Sequence, residues 1–383
     1  MADLRTEYVG LTLRNPVVVA SAGITETAAR IKRAADAGAG AVVMKSFFEP
    51  QYARQSPTPR FRVLKPRIGR ARALTLYSFE QASPFSEEEY AAEIARSKKA
   101  VSIPVIASLS CLSDEMWRRA ARLVAEAGAD AIECNASCPY GMHTLGACDF
   151  AGESARVTAL VKGEVAIPVI PKMTPQLSDP VAVALGLQAA GANGVVMFNR
   201  FTGLDIDLEQ ERPIMHGGYA GHGGPWALQY TLRWIAAASP RLGIPVAASG
   251  GVGSGEDVAK LILAGATVTE TCAAVVLGGY GAIRKLVNGL EDFMVAKGYK
   301  TLAEFRGKVC DRILPSEEVE RRRVCVARID MAKCSRCDTC FKVCIYDAVD
   351  KSTGDYIVTR DACSGCGLCV ELCPRDAIEM TAL

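Results

Sequence analysis

The tripeptide Ala-Gly-Ala recurs four times, at Ala37–Ala39, Ala127–Ala129, Ala190–Ala192 and Ala264–Ala266, and no feature narrows the fold more. Each copy follows a helical pattern and precedes an apolar run, at 41–44, 131–134, 194–198 and 268–272. Glycine just past a helix end accepts the left-handed conformation that closes the last turn. Between these copies stands Ile-Pro-Val, at Ile103–Val105, Ile167–Val169 and Ile244–Val246, with Asn15-Pro16-Val17 as its counterpart nearer the start. Proline suits the first residue of a strand, where its missing N–H costs nothing. Together the two signatures mark eight short apolar strands alternating with amphipathic helices such as Thr25–Ala37 and Glu115–Ala127. Strands buried on both faces and separated by helices make a parallel sheet. Eight repeats with no ninth favour a closed (β/α)8 barrel of the TIM type over an open doubly wound sheet. The class is α/β.

Chemistry in such a barrel sits at the C-terminal ends of the strands. Those ends read Ser21, Lys45, Ser108, Asn135, Lys172, Asn199, Gly250 and Cys272, polar at nearly every position. Gly250 and Gly251 let a phosphate approach backbone N–H groups, and a helix opening at Ser254 adds its dipole. TIM barrels commonly hold phosphate after strands seven and eight. Gly251, Gly253 and Gly255 imitate a dinucleotide fingerprint, but the third spacing is wrong and the strand is the seventh of a barrel.

At 383 residues the chain suits one barrel of about 250 residues plus a smaller unit. The barrel is expected over residues 1–307. A charged linker follows over 308–326, with Glu317, Glu318, Glu320 and Arg321–Arg323, read as a solvated connector with some helix. Residues 327–383 form a cysteine-rich α+β domain. Cys334, Cys337, Cys340 and Cys344 follow C-x2-C-x2-C-x3-C, and Cys363, Cys366, Cys369 and Cys373 repeat it, with Pro374 after the last. This is the two-cluster ferredoxin pattern, in which the fourth cysteine of each run serves the other cluster. One [4Fe–4S] cluster is therefore assigned Cys334, Cys337, Cys340 and Cys373, and the second Cys363, Cys366, Cys369 and Cys344. Zinc takes four ligands and leaves the third cysteine of each triplet without a role. Ile345 stands where a proline commonly follows the fourth cysteine.

Clusters pass single electrons, so a partner able to do substrate chemistry is expected in the barrel. With 44 basic against 42 acidic side chains, net charge is +2, which speaks against a nucleic-acid or membrane-surface partner. No apolar run approaches the roughly 20 residues that span a bilayer, and no signal core follows the first residues. A soluble, cytoplasmic protein is expected, and its fifteen cysteines read as thiols and metal ligands instead of a disulfide frame.

Asn135-Ala136-Ser137-Cys138-Pro139 closes strand four and matches the pattern N-x-S-C-P. With this motif, the barrel and the cluster domain in that order, nearly the whole chain resembles the dihydroorotate dehydrogenase family. Within it the chain resembles the FMN and iron–sulfur half of dihydropyrimidine dehydrogenases. The resemblance implies FMN at the mouth and Cys138 as the acid or base at the substrate carbon. Lys172 would sit by the flavin N1 and O2 edge and Lys45 on the other side, with Ser21 and Ser108 nearby. Gly221, Gly250, Gly251, Cys272 and Ala273 would hold the ribityl phosphate. Asn135 and Asn199 would bind the substrate's amide-like edges.

The reaction implied is two-electron reduction of a polarised C=C bond in a pyrimidine-like ring, or its reverse. No NAD(P)-binding domain is visible, so electrons would come from an NAD(P)H-oxidising flavoprotein subunit or a ferredoxin, in an oligomer. Three positions depart from the family pattern: Ser78 for an asparagine, Tyr140 for a histidine after Cys138-Pro139, and Arg200 for a threonine or serine after Asn199. Arg200 could receive a carboxylate or phosphate, which points to an anionic cyclic enone or acyl-thioester, or it could pair with Asp205, Asp207 or Glu209. Cys148, in the same loop as His143 and Tyr140, is a second candidate thiol. The remaining alternative is an electron-transfer subunit with the barrel as scaffold.

Overall fold

A computed structural model describes the chain except for residues 1, 50–53, 57–59, 65–66, 69–70, 73, 80–81, 137–148, 215 and 217. The chain divides into two units, Met1–Ile313 and Leu314–Leu383.

In the first unit eight strands alternate with eight principal helices. The strands are β1 (Val17–Val19), β2 (Ala41–Val43), β3 (Val105–Ser110), β4 (Ala131–Cys134), β5 (Val169–Met173), β6 (Val195–Met197), β7 (Val246–Ser249) and β8 (Val268–Thr271). The helices are α1 (Ala28–Asp36), α2 (Glu87–Ala100), α3 (Asp114–Glu126), α4 (Phe150–Lys162), α5 (Pro180–Ala189), α6 (Leu228–Ala238), α7 (Gly255–Leu263) and α8 (Gly281–Lys297). Neighbouring strands pair in parallel around the ring, and β8 pairs with β1, so the sheet closes. The (β/α)8 barrel read from the repeats is the fold.

Local chemistry sets the helix ends. Thr27, Ser86, Ser113, Asp149, Asp179 and Ser254 cap α1, α2, α3, α4, α5 and α7 through their side chains. Pro180 occupies the first turn of α5, where no N–H is needed. Gly38 and Gly265, the central residues of two Ala-Gly-Ala copies, have φ of +107° and +106°, the left-handed turn that returns the chain to the next strand.

Inside the barrel one layer is apolar: Val18, Val43, Ile106, Ala131, Ile170, Val196, Ala247 and Val268, one from each strand. An antiparallel hairpin, Thr6–Tyr8 with Leu11–Leu13, plugs the N-terminal end with Tyr8 and Leu13. At the opposite end the loops after β2 and β6 build a four-stranded antiparallel sheet. Its strands run in the order Phe201–Gly203, Ala220–Gly223, Thr75–Ser78 and Phe61–Leu64.

The second unit is built on two antiparallel pairs, Cys325–Ile329 with Ile378–Ala382 and Val349–Asp350 with Ile357–Val358. Short helices Thr339–Val343 and Leu368–Glu371 follow the cysteine triplets. Its small core holds Val326, Ala348, Val349, Tyr356 and Ile378 beside Cys340 and Cys363. In the connector, residues 308–326, the helix is confined to two short 3-10 segments, Cys310–Arg312 and Ser316–Glu318, with no α-helix. Pro315 removes an N–H between those turns, and the charges there are solvated.

Candidate active site

Side chains on a strand alternate, so residues two beyond the apolar layer face the same interior one level higher. That level reads Ala20, Lys45, Ser108, Glu133, Lys172, Phe198, Ser249 and Glu270. Four of its eight members are ionisable, and all four are buried. It is the floor of a cavity of about 510 Å³ that opens at the C-terminal ends of the strands.

Charge burial is tolerable only with partners. Lys172 Nζ donates to Glu270 Oε2 at 2.6 Å and to Glu133 Oε2 at 3.3 Å. Ser108 Oγ donates to the other oxygen of Glu133 at 3.2 Å. Burial pushes the Glu133 carboxyl up to about 8, with Lys172 opposing and Glu270 reinforcing the shift. Burial alone would lower the Lys172 ammonium, but the two carboxylates outweigh it and hold it above its ordinary value.

The network continues outward. Ser108 and Ser46 hydroxyls lie 2.9 Å apart, as do those of Ser46 and Ser21. Asn135 Nδ2 donates to Ser46 Oγ at 3.4 Å, and Asn199 Nδ2 to Asn135 Oδ1 at 3.0 Å. One hydrogen-bonded chain therefore joins Ser21, Ser108, Asn135, Lys172 and Asn199 from five different strand ends. Ser46, Glu133 and Glu270 complete it, and the sequence reading passed over all three. For the glutamates a signal was present: each is a charged residue in the middle of a buried strand, at the register of the apolar layer.

Lys45, Ser78, Asn199 and Arg200 line the cavity, as do Gly250, Gly251, Cys272 and Ala273. Ser108 does not; it is fully buried and reaches the cavity through Ser46 and Glu133. Gly221 is also set apart from the cavity. A Cβ there would overlap the Arg200 side chain at Nε, so its bare backbone makes room for the guanidinium, and Gly223 and Gly224 line the wall instead. Arg200 pairs with none of Asp205, Asp207 and Glu209 among the described residues. Cys138, with Ser137, Pro139, Tyr140, His143 and Cys148, lies outside the described residues.

The cavity surfaces fit FMN. Gly250 and Gly251 have φ of +118° and +81°, and a Cβ on Gly251 would come within 2.6 Å of Leu228 Cα. A Cβ on Gly223 would meet nothing within 4 Å, so this glycine leaves open a volume that a flat ring can enter. Lys172 puts a cation in the lining of the same cavity. The α7 N-terminus is partly committed already, because Gly253 and Ser254 N–H donate to Asp257 at 3.1 and 2.9 Å.

In the second unit, Cys334, Cys337, Cys340 and Cys373 line one small cavity, and Cys344, Cys363, Cys366 and Cys369 line another. Each set draws its fourth thiol from the other run. Ala348 N–H donates to Cys344 Sγ and Ala377 N–H to Cys373 Sγ, both at 3.3 Å, repeating one contact in each half. Such bonds to sulfur help set cluster potentials.

Residues 3–294 match the dihydroorotate dehydrogenase family, and residues 327–380 match the 4Fe-4S dicluster domain. The NAD-dependent dihydropyrimidine dehydrogenase subunit PreA of Escherichia coli (strain K12) is 30% identical over 360 residues, covering 90% of this chain and 86% of that protein. The catalytic subunit of dihydroorotate dehydrogenase B (NAD(+)) from Pyrococcus furiosus is 30% identical over 80% of this chain and 98% of its own length. That from Methanothermobacter thermautotrophicus is 31% identical over 80% and 99%. Among the described residues no helix is long and apolar enough to cross a membrane. The barrel with its cation-floored cavity, the cysteine domain that follows it in the sequence and these matches agree: the chain belongs to the dihydroorotate dehydrogenase family and is a flavin-dependent oxidoreductase with an iron–sulfur domain.

Proposed function

We propose that the chain reduces, or reversibly forms, a C=C bond in a pyrimidine-like ring, in the manner of a dihydropyrimidine dehydrogenase. Two [4Fe–4S] clusters, on Cys334, Cys337, Cys340 and Cys373 and on Cys363, Cys366, Cys369 and Cys344, relay the electrons. Their source is an NAD(P)H-oxidising flavoprotein subunit or a ferredoxin, within a cytoplasmic oligomer. The observation that carries the reading is the hydrogen-bonded chain from Asn199 through Asn135 and the serines to Glu133 and Lys172. It links amide groups suited to a ring's N–C=O edges with a cation beneath the cavity.

FMN, when bound, supplies the hydride chemistry. Lys172 holds positive charge under the ring edge, and Lys45 and Ser21 flank it. Gly250, Gly251, Cys272 and Ala273 offer backbone to the phosphate. Asn135, Asn199 and Ser78 orient the substrate. Cys138 moves the proton at the neighbouring carbon; a thiol with an ordinary pKa near 8.5 is mostly protonated at neutral pH and suits donation.

The test is anaerobic single turnover of chemically reduced protein with uracil, thymine and orotate. Loss of the substrate C=C absorbance with at least one of them is expected. Intact substrate in all three mixtures would overturn the pyrimidine reading.

One observation favours a second substrate class. Arg200 lies on Gly221 at the cavity wall and forms no pair with the acidic residues that follow it among the described residues. A carboxylate or phosphate on an unsaturated substrate, an anionic cyclic enone or an acyl-thioester, would meet its planar fork. Arg200→Ala would then raise KM for such a substrate and leave uracil unaffected. The scaffold alternative is tested by Cys138→Ala: unchanged turnover would remove the acid/base role.

A further inference from the structure

The barrel floor holds two lysines and two glutamates, and three of the four are in direct contact. Lys172 is the one cation in contact with two carboxylates, Glu133 at 3.3 Å and Glu270 at 2.6 Å, and all three side chains are buried. If all three were ionised, one negative charge would be left in a medium that tolerates none cheaply. A single shared proton on the carboxylates makes the group neutral.

Three further groups face the trio or share its layer. From β3, Ser108 donates a neutral hydrogen bond to Glu133. From the N-terminal hairpin, Tyr8 lies buried beneath, its phenol raised by burial and by both carboxylates and its hydroxyl without a partner among the described residues. From β2, Lys45 is the other cation of the layer, its Nζ set 5.5 Å over the Phe48 ring. The other members of the layer do not ionise.

We propose that Glu133, Lys172 and Glu270 form a proton store in which the two carboxylates share one proton, and that where this proton has been lost, negative charge arriving on a ring bound in the cavity draws it back in. The inference rests on the flavin reading above. For every two electrons and one proton that enter the ring from the external reductant, a store that has lost its proton takes one up from solvent, so the charge of the pocket is unchanged. When hydride leaves for the substrate carbon, the store releases its proton. Where the resting store is already protonated, no uptake accompanies reduction. With Glu133 pushed up to about 8, uptake begins above that pH.

The test is the two-electron midpoint potential of the flavin in the full chain, measured against pH. Each additional proton per electron pair is a tenfold change per pH unit, or about 30 mV for a two-electron couple. The wild-type slope is expected to steepen by that amount above about pH 8. Glu133→Gln should give one slope throughout, and Glu270→Gln should move the break to lower pH, because its charge no longer raises Glu133. A wild-type profile without a break, or the wild-type break unmoved in both variants, overturns the store.

Infrared spectra of flavin-free protein give an independent arm. One buried carboxylic-acid C=O band is expected at neutral pH, fading as pH rises through about 8 and missing from Glu133→Gln. Its absence from wild type overturns the store whether or not flavin binds. The band in a protein that never binds flavin overturns the functional reading instead.

Discussion

Lys172 Nζ lies 2.6 Å from Glu270 Oε2, across the barrel interior from β5 to β8, in side chains that are almost wholly buried. The pair stands in the register of the apolar layer below it, so the fold itself places the charge at the base of the cavity. Alternation along β4, β5 and β8 puts Glu133, Lys172 and Glu270 two residues above Ala131, Ile170 and Val268.

Lys172→Met should be strongly destabilising, because it leaves two carboxylates in the core without their cation. Breaking a buried pair by removing one partner typically costs about 3–5 kcal/mol. Denaturant unfolding of the apoprotein measures this. The triple variant with Glu133→Gln and Glu270→Gln should recover much of the loss, since no buried charge then remains.

Stability should also depend on pH through Glu133. Its folded value near 8 is above the ordinary 4.5, so the folded chain binds a proton that the unfolded chain has lost. The contribution is full below about 4.5 and declines as pH rises toward 8. Unfolding midpoints should fall across that window in wild type and fall less in Glu133→Gln.

Two glycines of the cavity wall should respond differently to alanine. At Gly251, φ is +81° and the new Cβ would meet the α6 backbone, so Gly251→Ala should lose about 1–3 kcal/mol of stability. At Gly223 the new Cβ meets nothing, so Gly223→Ala should fold with wild-type stability and bind FMN more weakly. Thermal unfolding and flavin titration separate the two.

Cys373 lines one cavity with Cys334, Cys337 and Cys340, and the proposed ligation assigns it to their cluster. Cys373→Ala should therefore cost the cluster of the first triplet, and Cys344→Ala that of the second. Iron content should fall by about half in either variant. Paramagnetic resonance of the reduced protein identifies which signal is lost.

Much of this was legible because two periods dominate the chain. The Ala-Gly-Ala and Ile-Pro-Val marks located strands whose ends carry Ser21, Lys45, Asn135, Lys172 and Asn199, and their convergence follows from barrel closure. Glu133 and Glu270 were passed over because attention stayed on strand ends, although a glutamate within Ala131–Cys134 or Val268–Thr271 must face either the interior or a helix. The surroundings of Gly221 were not legible for another reason. Its purpose is a contact with Arg200 across an antiparallel pair, Thr202 opposite Gly221, and nothing local announces such a pairing. The connector's helix stays short, because Pro315 interrupts it and no apolar stripe gives it a face to pack.

Flavin content decides most directly whether the cavity over Lys172 is a flavin site. The measurement is extraction and absorbance of FMN from anaerobically purified protein, repeated after reconstitution with excess FMN. Stoichiometric FMN, lost or sharply weakened in Lys172→Gln, is the expected result. Protein that carries its iron and folds normally yet retains no flavin after reconstitution would contradict it.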